Sequence, residues 1–93
     1  MAISFENRAR IPEDVLLSEL DGESVLLNLK TETYFGLDEV GTRMWAAVTS
    51  AESIQAAYDT LTEEYDVEPE RLREDLSAIL DKLVEHGLLE LGS

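Results

Sequence analysis

The sequence predicts an α+β fold in which a three-stranded antiparallel sheet is followed by three helices. Up to Leu37, apolar and polar residues alternate in short runs, which is typical of strands with one buried face. After Asp38 the apolar residues recur every three or four positions, which is typical of amphipathic helices. The period therefore changes once, and the change divides the chain into a sheet part and a helical part.

The sheet part contains two turn signals between three apolar segments. Residues 15–20 form the first segment, and Asp21-Gly22 follows as a turn pair that tolerates positive φ. Residues 25–30 alternate apolar and polar, and Thr31-Glu32 make a second short connection to an aromatic-rich segment at 33–37. This order predicts a meander of three antiparallel strands.

The helical part has start and stop signals for three helices. Asp38 is placed to cap the first helix, whose inward face is expected to carry Val40, Met44, Trp45 and Val48. Thr49 or Ser50 is expected to cap the second helix. The third helix is predicted over 69–86, because proline suits its first turn and Gly87 suits its C-terminal stop. A short final strand is expected near 88–91.

Helices joined by tight turns beside a small sheet describe a winged helix-turn-helix. We therefore predict one domain over residues 15–91, preceded by an irregular lead-in over residues 1–14, which lacks periodicity. A chain of 93 residues has room for one small core and none for a deep catalytic cleft. A surface groove is the more natural binding site.

Composition disfavours several classes of function. The 7 basic and 21 acidic residues give a net charge of −14, whereas nucleic-acid binding starts from a basic surface. A DNA-binding winged helix is the obvious rival, but residues 70–85 carry three cations and five anions, a net charge of −2 on the would-be recognition helix. The sequence has no cysteine, secretory signal or apolar run long enough to cross a bilayer. We expect a cytoplasmic protein that binds neither nucleic acid nor membrane.

Catalysis finds no support in the sequence. One histidine, no cysteine and no glycine-rich phosphate loop leave only carboxylates, none of them convincingly paired. We expect no enzyme activity, no metal and no cofactor. An acyl carrier protein would need a serine after aspartate at a helix start, whereas Asp75-Leu76-Ser77 has the wrong order and lies inside the third helix.

Two stretches of the sequence resemble a known family. Residues 24–41, which read SVLLNLKTETYFGLDEVG, are followed by Met44-Trp45, and residues 75–89 read DLSAILDKLVEHGLL. Together they resemble the PqqD-like family of recognition elements for ribosomally made, post-translationally modified peptides. The resemblance covers about Val15 to Leu91 and is greatest for the stand-alone proteins of lasso-peptide biosynthesis.

The resemblance implies a non-catalytic protein that binds the leader segment of a precursor peptide and delivers it to processing enzymes. The implied partners are a separate leader peptidase and a downstream modifying enzyme. Related elements also act in other modified-peptide pathways and as carriers for pyrroloquinoline quinone precursors, which remains the alternative.

A peptide-binding site is expected where the third strand meets the third helix. An edge strand offers unpaired backbone groups to an added strand. The third helix has a wide apolar stripe, and its second margin is expected to line the groove. The predicted peptide-binding residues are Thr33, Tyr34, Phe35, Gly36 and Leu37 of the strand and Leu72, Arg73, Leu76 and Leu80 of the helix.

Some assignments within that set stay open. Phe35 and Leu37 lie on one face of their strand, so at least one is expected in the core, and Tyr34 points the other way. Leu76 could serve both core and groove.

Overall fold

The computed structural model describes residues 4–92 and confirms the predicted three-stranded sheet followed by three helices. Strands β2, β3 and β4 form an antiparallel meander in that order, and strands β1 and β5 pair separately. The strands are β1 Arg8–Arg10, β2 Val15–Leu20, β3 Glu23–Asn28, β4 Thr33–Leu37 and β5 Glu90–Gly92. The helices are α1 Glu39–Ser50, α2 Ile54–Glu64 and α3 Pro69–Glu85.

The β2–β3 turn has the geometry that the sequence predicts. Leu20 pairs with Glu23, so that the loop contains two residues, Asp21 with φ of 54° and Gly22 with φ of 84°. Positive φ at both positions matches the right-handed twist of the flanking strands. This turn fixes the register of the hairpin and therefore which residues face the helices.

The two faces of the sheet differ in their cover. Ser24, Leu26 and Asn28 point toward the helices and are buried, whereas Val25 between them is exposed. On the same outer face, Leu27 pairs with Tyr34, which is 73% exposed. The helices therefore cover one face of the sheet, and α3 lies next to its β4 side.

Helix α1 begins at the predicted cap, because Oδ1 of Asp38 accepts a hydrogen bond of 2.8 Å from the Gly41 backbone N–H. Met44, Trp45 and Val48 are buried as predicted, whereas Val40 in the first turn is exposed.

The predicted cap of α2 is wrong. The hydroxyls of Thr49 and Ser50 donate to carbonyls one turn back in α1, and Ser53 caps α2 by accepting from the Ala56 backbone N–H. A residue inside a helix has that preceding turn within reach of its hydroxyl, so it is not available to cap the next helix.

Helix α3 contributes the largest share of leucines to the core. Leu72, Leu76, Leu80 and Leu83 are each at most 3% exposed, and they pack with Trp45 and other residues of α1 and α2. A polar connection joins the end of α3 to the sheet: Nδ2 of the buried Asn28 donates to the Gly87 carbonyl at 2.8 Å. Asn28 thereby fixes the last turn of α3 against the β3–β4 hairpin.

The N-terminal segment differs from the expected irregular lead-in over residues 1–14. Residues 1–3 lie outside the described residues. From there on, Phe5 and Ala9 are buried in the core, and β1 pairs with β5 from Arg8–Gly92 to Arg10–Glu90. A three-residue strand has no readable period, and its partner lies about eighty positions later, so the sequence alone gave no signal for it.

Candidate functional site

A groove separates strand β4 from helix α3. We call it the β4–α3 groove. Its lining residues are Phe35, Gly36, Leu37, Asp38, Gly41, Asp75, Ala78, Ile79 and Lys82. Strand β4 is the last strand of the meander and pairs only with β3 among residues 4–92, so the backbone groups on its other edge have no strand partner. The groove therefore combines an unpaired strand edge with the side of a helix.

The floor of the groove is apolar. Leu37 is 4% exposed and Phe35 is half-buried, and both point to the inner face of the sheet. Ile79 is half-buried on the helix side, between core and groove. These side chains leave apolar surface within reach of a bound segment.

Gly41 allows the first turn of α1 to approach the groove closely. A Cβ at this position would lie 3.2 Å from Cδ1 of Ile79 and 3.2 Å from Cδ2 of Leu37. That is closer than ordinary van der Waals contact, so a side chain here would displace one of the two. The absence of a side chain at Gly41 therefore helps to set the position of Ile79 in the wall.

Strand β4 and helix α3 run in opposite directions along the groove. The Phe35 ring lies 5.6 Å from the His86 ring, between centroids, near the C-terminal end of α3. Leu37 and Gly41 lie farther along the chain, and they adjoin Ile79, nearly two helical turns before His86. This direction fixes which side chains of α3 meet which part of a bound segment.

Of the five strand residues predicted for the site, three line the β4–α3 groove, and Thr33 and Tyr34 do not. Residues 33–37 form the edge strand, and Phe35, Gly36 and Leu37 line the groove. The Tyr34 side chain lies on the outer face with Leu16 and Leu27, away from α3, since successive strand residues point to opposite faces. Tyr34 therefore contributes its backbone, but not its side chain, to the free edge of β4.

The three leucines predicted for the helix half of the site do not line the β4–α3 groove. Leu72, Leu76 and Leu80 are at most 3% exposed and belong to the core, so their side chains do not line a groove. At about 100° per residue they lie within about 80° of one another, a single stripe that packing against the core accounts for entirely.

Arg73 was predicted at the lip of the groove but lies elsewhere. Its guanidinium stacks over the Phe5 ring, 3.9 Å from the centroid, and lies 5.8 Å from the centroid of Tyr58. Around the helix, Arg73 is about 170° from the middle of the groove-facing residues. Its position between leucines reflects the aromatic pair that it covers, with its stem packed and its charge near solvent.

The groove-facing residues of α3 were missed by the sequence analysis. Asp75, Ala78, Ile79 and Lys82 recur with spacings of three, one and three, which places them on one side of the helix. Two are charged and one is an exposed alanine, so apolar periodicity does not detect them. The small residue Ala78, between the charged residues Asp75 and Lys82 on one side of the helix, was the available signal for a depression in the helix surface.

Two other concave regions have different linings. The outer face of the sheet has an apolar hollow bounded by Leu16, Leu17, Val25, Leu27 and Tyr34. A polar hollow lies beside the β1–β5 pair, where Arg10 and Glu90 form an ion pair of 2.8 Å. Neither includes the free edge of β4.

The charged residues of the groove are not paired with each other or with neighbours, unlike those of the two ion pairs in the described chain. Arg43 of α1 holds Glu64 of α2 through a hydrogen bond of 2.8 Å from its Nε, and this bond keeps the pKa of Glu64 below its usual range. Asp75 and Lys82 take part in neither of the two ion pairs found within 4.0 Å between residues 4 and 92. Their charges face the groove, and neither has an ion-pair partner among the described residues.

The described residues provide no cluster of three or more histidine and acidic side chains that could hold a metal ion. Among the helices of the described chain, none is long and apolar enough to span a membrane. The groove itself combines the unpaired edge of β4, an apolar floor and the charges of Asp75 and Lys82.

Comparisons with known proteins agree with this geometry. The sequence profile of a family described as coenzyme PQQ synthesis protein D (PqqD) matches residues 23–89, which include β4 and α3. The solved complex of TbiB1 with the TbiA(beta) leader peptide is 37% identical, covers 87% of this chain and 94% of that chain, and superposes with a TM-score of 0.80.

A second solved structure, of lasso peptide synthetase B1 complexed with the leader peptide, shares the fold. It is 23% identical, covers 89% of this chain and 98% of that chain, and superposes with a TM-score of 0.79. No curated protein matches the chain significantly.

Proposed function

The chain belongs to the PqqD family, and from this premise we propose that it is a non-catalytic recognition protein for the leader segment of a ribosomal precursor peptide. The leader binds in the β4–α3 groove as an extended strand antiparallel to residues 33–37. The observation that carries the proposal is the unpaired edge of β4 next to an open, partly apolar helix side. Strand addition to such an edge is a recurrent mode of peptide binding.

Two contributions to affinity follow from the groove. Each backbone hydrogen bond to β4 contributes about 0.5–1.5 kcal/mol net, which is too little for tight binding after association entropy is included. Apolar leader side chains packed on Phe35 and Ile79 supply the remainder, at about 25 cal/mol per Å² of buried area. Specificity therefore depends on which side chains alternate toward this floor.

Delivery to processing enzymes completes the proposal. A cytoplasmic leader peptidase and a downstream modifying enzyme act on the leader-bound precursor, as the resemblance to the lasso-peptide proteins implies. The alternative is a carrier for a quinone-cofactor precursor. The match to TbiB1, a protein solved with a leader peptide, supports recognition of a leader segment by this chain. Both alternatives use the same groove and differ in the precursor that it accepts.

The first experiment separates leader from core. A precursor peptide identified among the reading frames that neighbour the gene is synthesised as labelled leader and core halves, and each half is titrated by fluorescence anisotropy. We expect saturable binding of the leader half alone. Equal binding of both halves, or of neither, contradicts the proposal.

The second experiment tests strand addition. Leader peptides carrying a single N-methyl group are compared along the bound segment. Because an antiparallel strand directs every second N–H to its neighbour, we expect methylation to weaken binding at alternate positions only. A uniform response, or none, contradicts pairing with β4 while leaving leader binding intact.

A further inference from the structure

We infer that the β4–α3 groove selects the order of charges in the leader: a basic side chain first and an acidic side chain about four residues later. This inference rests on the proposed function and assigns Asp75 and Lys82 as the residues that determine specificity. Both line the groove, and they have opposite charges.

The direction of a bound leader follows from the direction of β4. Strand β4 passes from Phe35, beside His86, to Leu37, beside Ile79, and is therefore antiparallel to α3. A leader strand antiparallel to β4 consequently runs parallel to α3. Its N-terminal part passes Asp75 and its C-terminal part passes Lys82.

The two ends of the groove have opposite charges. Asp38 and Asp75 line the end where β4 finishes. At the other end lies Lys82, with His86 one turn farther along the chain at the end of α3. Neither Asp75 nor Lys82 has an ion-pair partner within 4.0 Å in the part of the chain described, so both charges are available to a ligand.

The spacing of the leader charges follows from the geometry of helix and strand. Asp75 and Lys82 are seven residues apart, which is about 10.5 Å along a helix at 1.5 Å per residue. Leader residues that point to the same side of the strand are separated by two or four positions. These separations correspond to roughly 6.6 Å and 13 Å along the strand. The long, exposed Lys82 side chain reaches the farther position, so we assign a separation of four.

The net charge of the protein does not by itself produce this preference. A net charge of −14 attracts any cationic peptide regardless of the order of its residues. A local pair of opposite charges distinguishes two peptides of identical composition. The contribution of each exposed ion pair is at most about fivefold in affinity, so reversing two pairs should change affinity roughly five- to twentyfold.

The test uses two isomers of the TbiA(beta) leader peptide that carry lysine and glutamate four residues apart in the β4-pairing segment, one in each order. The protein should bind the lysine-first isomer five- to twentyfold more tightly. The double variant Asp75→Lys/Lys82→Asp, which keeps the net charge, should prefer the glutamate-first isomer. The control Glu6→Lys/Arg8→Glu exchanges two exposed charges outside the groove lining and should keep the original preference.

The outcomes separate this inference from the proposed function. Equal affinity for the two isomers, or a preference that the double variant leaves unchanged, overturns the inference and leaves leader binding standing. Failure of the protein to bind either isomer or the unmodified leader counts against leader binding in this groove. Circular dichroism of each variant verifies that the exchanges leave the fold intact.

Discussion

Helix α3 presents two neighbouring faces that do different work. One carries Leu72, Leu76, Leu80 and Leu83, all at most 3% exposed, and holds the domain together. The other carries Asp75, Ala78 and Lys82, with Ile79 at the boundary, and lines the groove. Residues next to each other in sequence therefore have different roles: Leu76 packs in the core, and Asp75 lines the groove. The face with the large apolar residues is the structural one, and the face with small and charged residues has the features of a binding surface.

The largest effect, a loss of stability, is expected from truncating a leucine on the core face of α3. Leu76→Ala should lower the free energy of unfolding by about 2–5 kcal/mol, because the side chain is fully buried and its removal leaves a cavity. Urea denaturation monitored through Trp45 measures this change. The folded fraction should bind leader with nearly unchanged affinity. A stable variant with weakened binding would assign Leu76 to the groove after all.

A substitution that fills the groove should weaken leader binding and leave the stability of the fold nearly unchanged. Ala78→Phe places a ring in the space that a leader strand would occupy, so we expect leader affinity to fall tenfold or more, about 1.4 kcal/mol. Ala78 is exposed, so the free energy of unfolding should change by only about 0.5 kcal/mol. Ala46→Phe is the matched control, on an exposed position of α1 outside the groove lining. Equal effects of the two substitutions on binding would contradict the location of the site.

Gly41→Ala probes the boundary between the two faces. The added methyl group would lie 3.2 Å from Cδ1 of Ile79. To avoid this contact the Ile79 side chain must shift, and because Ile79 lines the groove, the shift changes the shape of the groove. The gain in helix propensity, about 1 kcal/mol, offsets part of the crowding, so the free energy of unfolding should change by less than about 1 kcal/mol. Leader affinity should fall severalfold in the same titration. Unchanged affinity would show that the position of Ile79 does not control binding.

The smallest effect is expected on the side of α3 opposite the groove. Arg73→Ala removes the guanidinium that stacks on Phe5 and should cost about 0.5–1 kcal/mol of unfolding free energy. Leader affinity should not change. Arg71→Ala removes the same charge from an exposed position with no ring beneath it among the described contacts, and it should cost less stability. A loss of affinity on replacing Arg73 would restore it to the binding site.

The sheet half of the site was predictable because local rules determine it. Asp21-Gly22 fixes the hairpin, alternation fixes the buried face, and the order of a meander makes β4 an edge. The helix half was not predictable from apolar periodicity, which finds the core face first. The leucines of α3 form one stripe, and Val84 also packs against the core.

The segment around Phe5 was missed for a related reason. Its burial depends on Tyr58, whose ring it meets edge-on at 5.7 Å between centroids, and on Arg73 above it. Neither partner is near it in sequence. Contacts of this kind have no local pattern, so only the folded chain reveals that Arg73 has a structural partner there.

The hydrogen bond from Asn28 to the Gly87 carbonyl has a consequence for the time course of folding. It joins positions 59 residues apart, whereas the β2–β3–β4 meander forms from near neighbours. Since loop closure must precede such distant contacts, the meander can assemble early while the groove is completed only when α3 docks. A chain still emerging from the ribosome would thus expose the edge of β4 before it can discriminate among peptides. The interval until α3 arrives is the period in which that edge is open to mispairing.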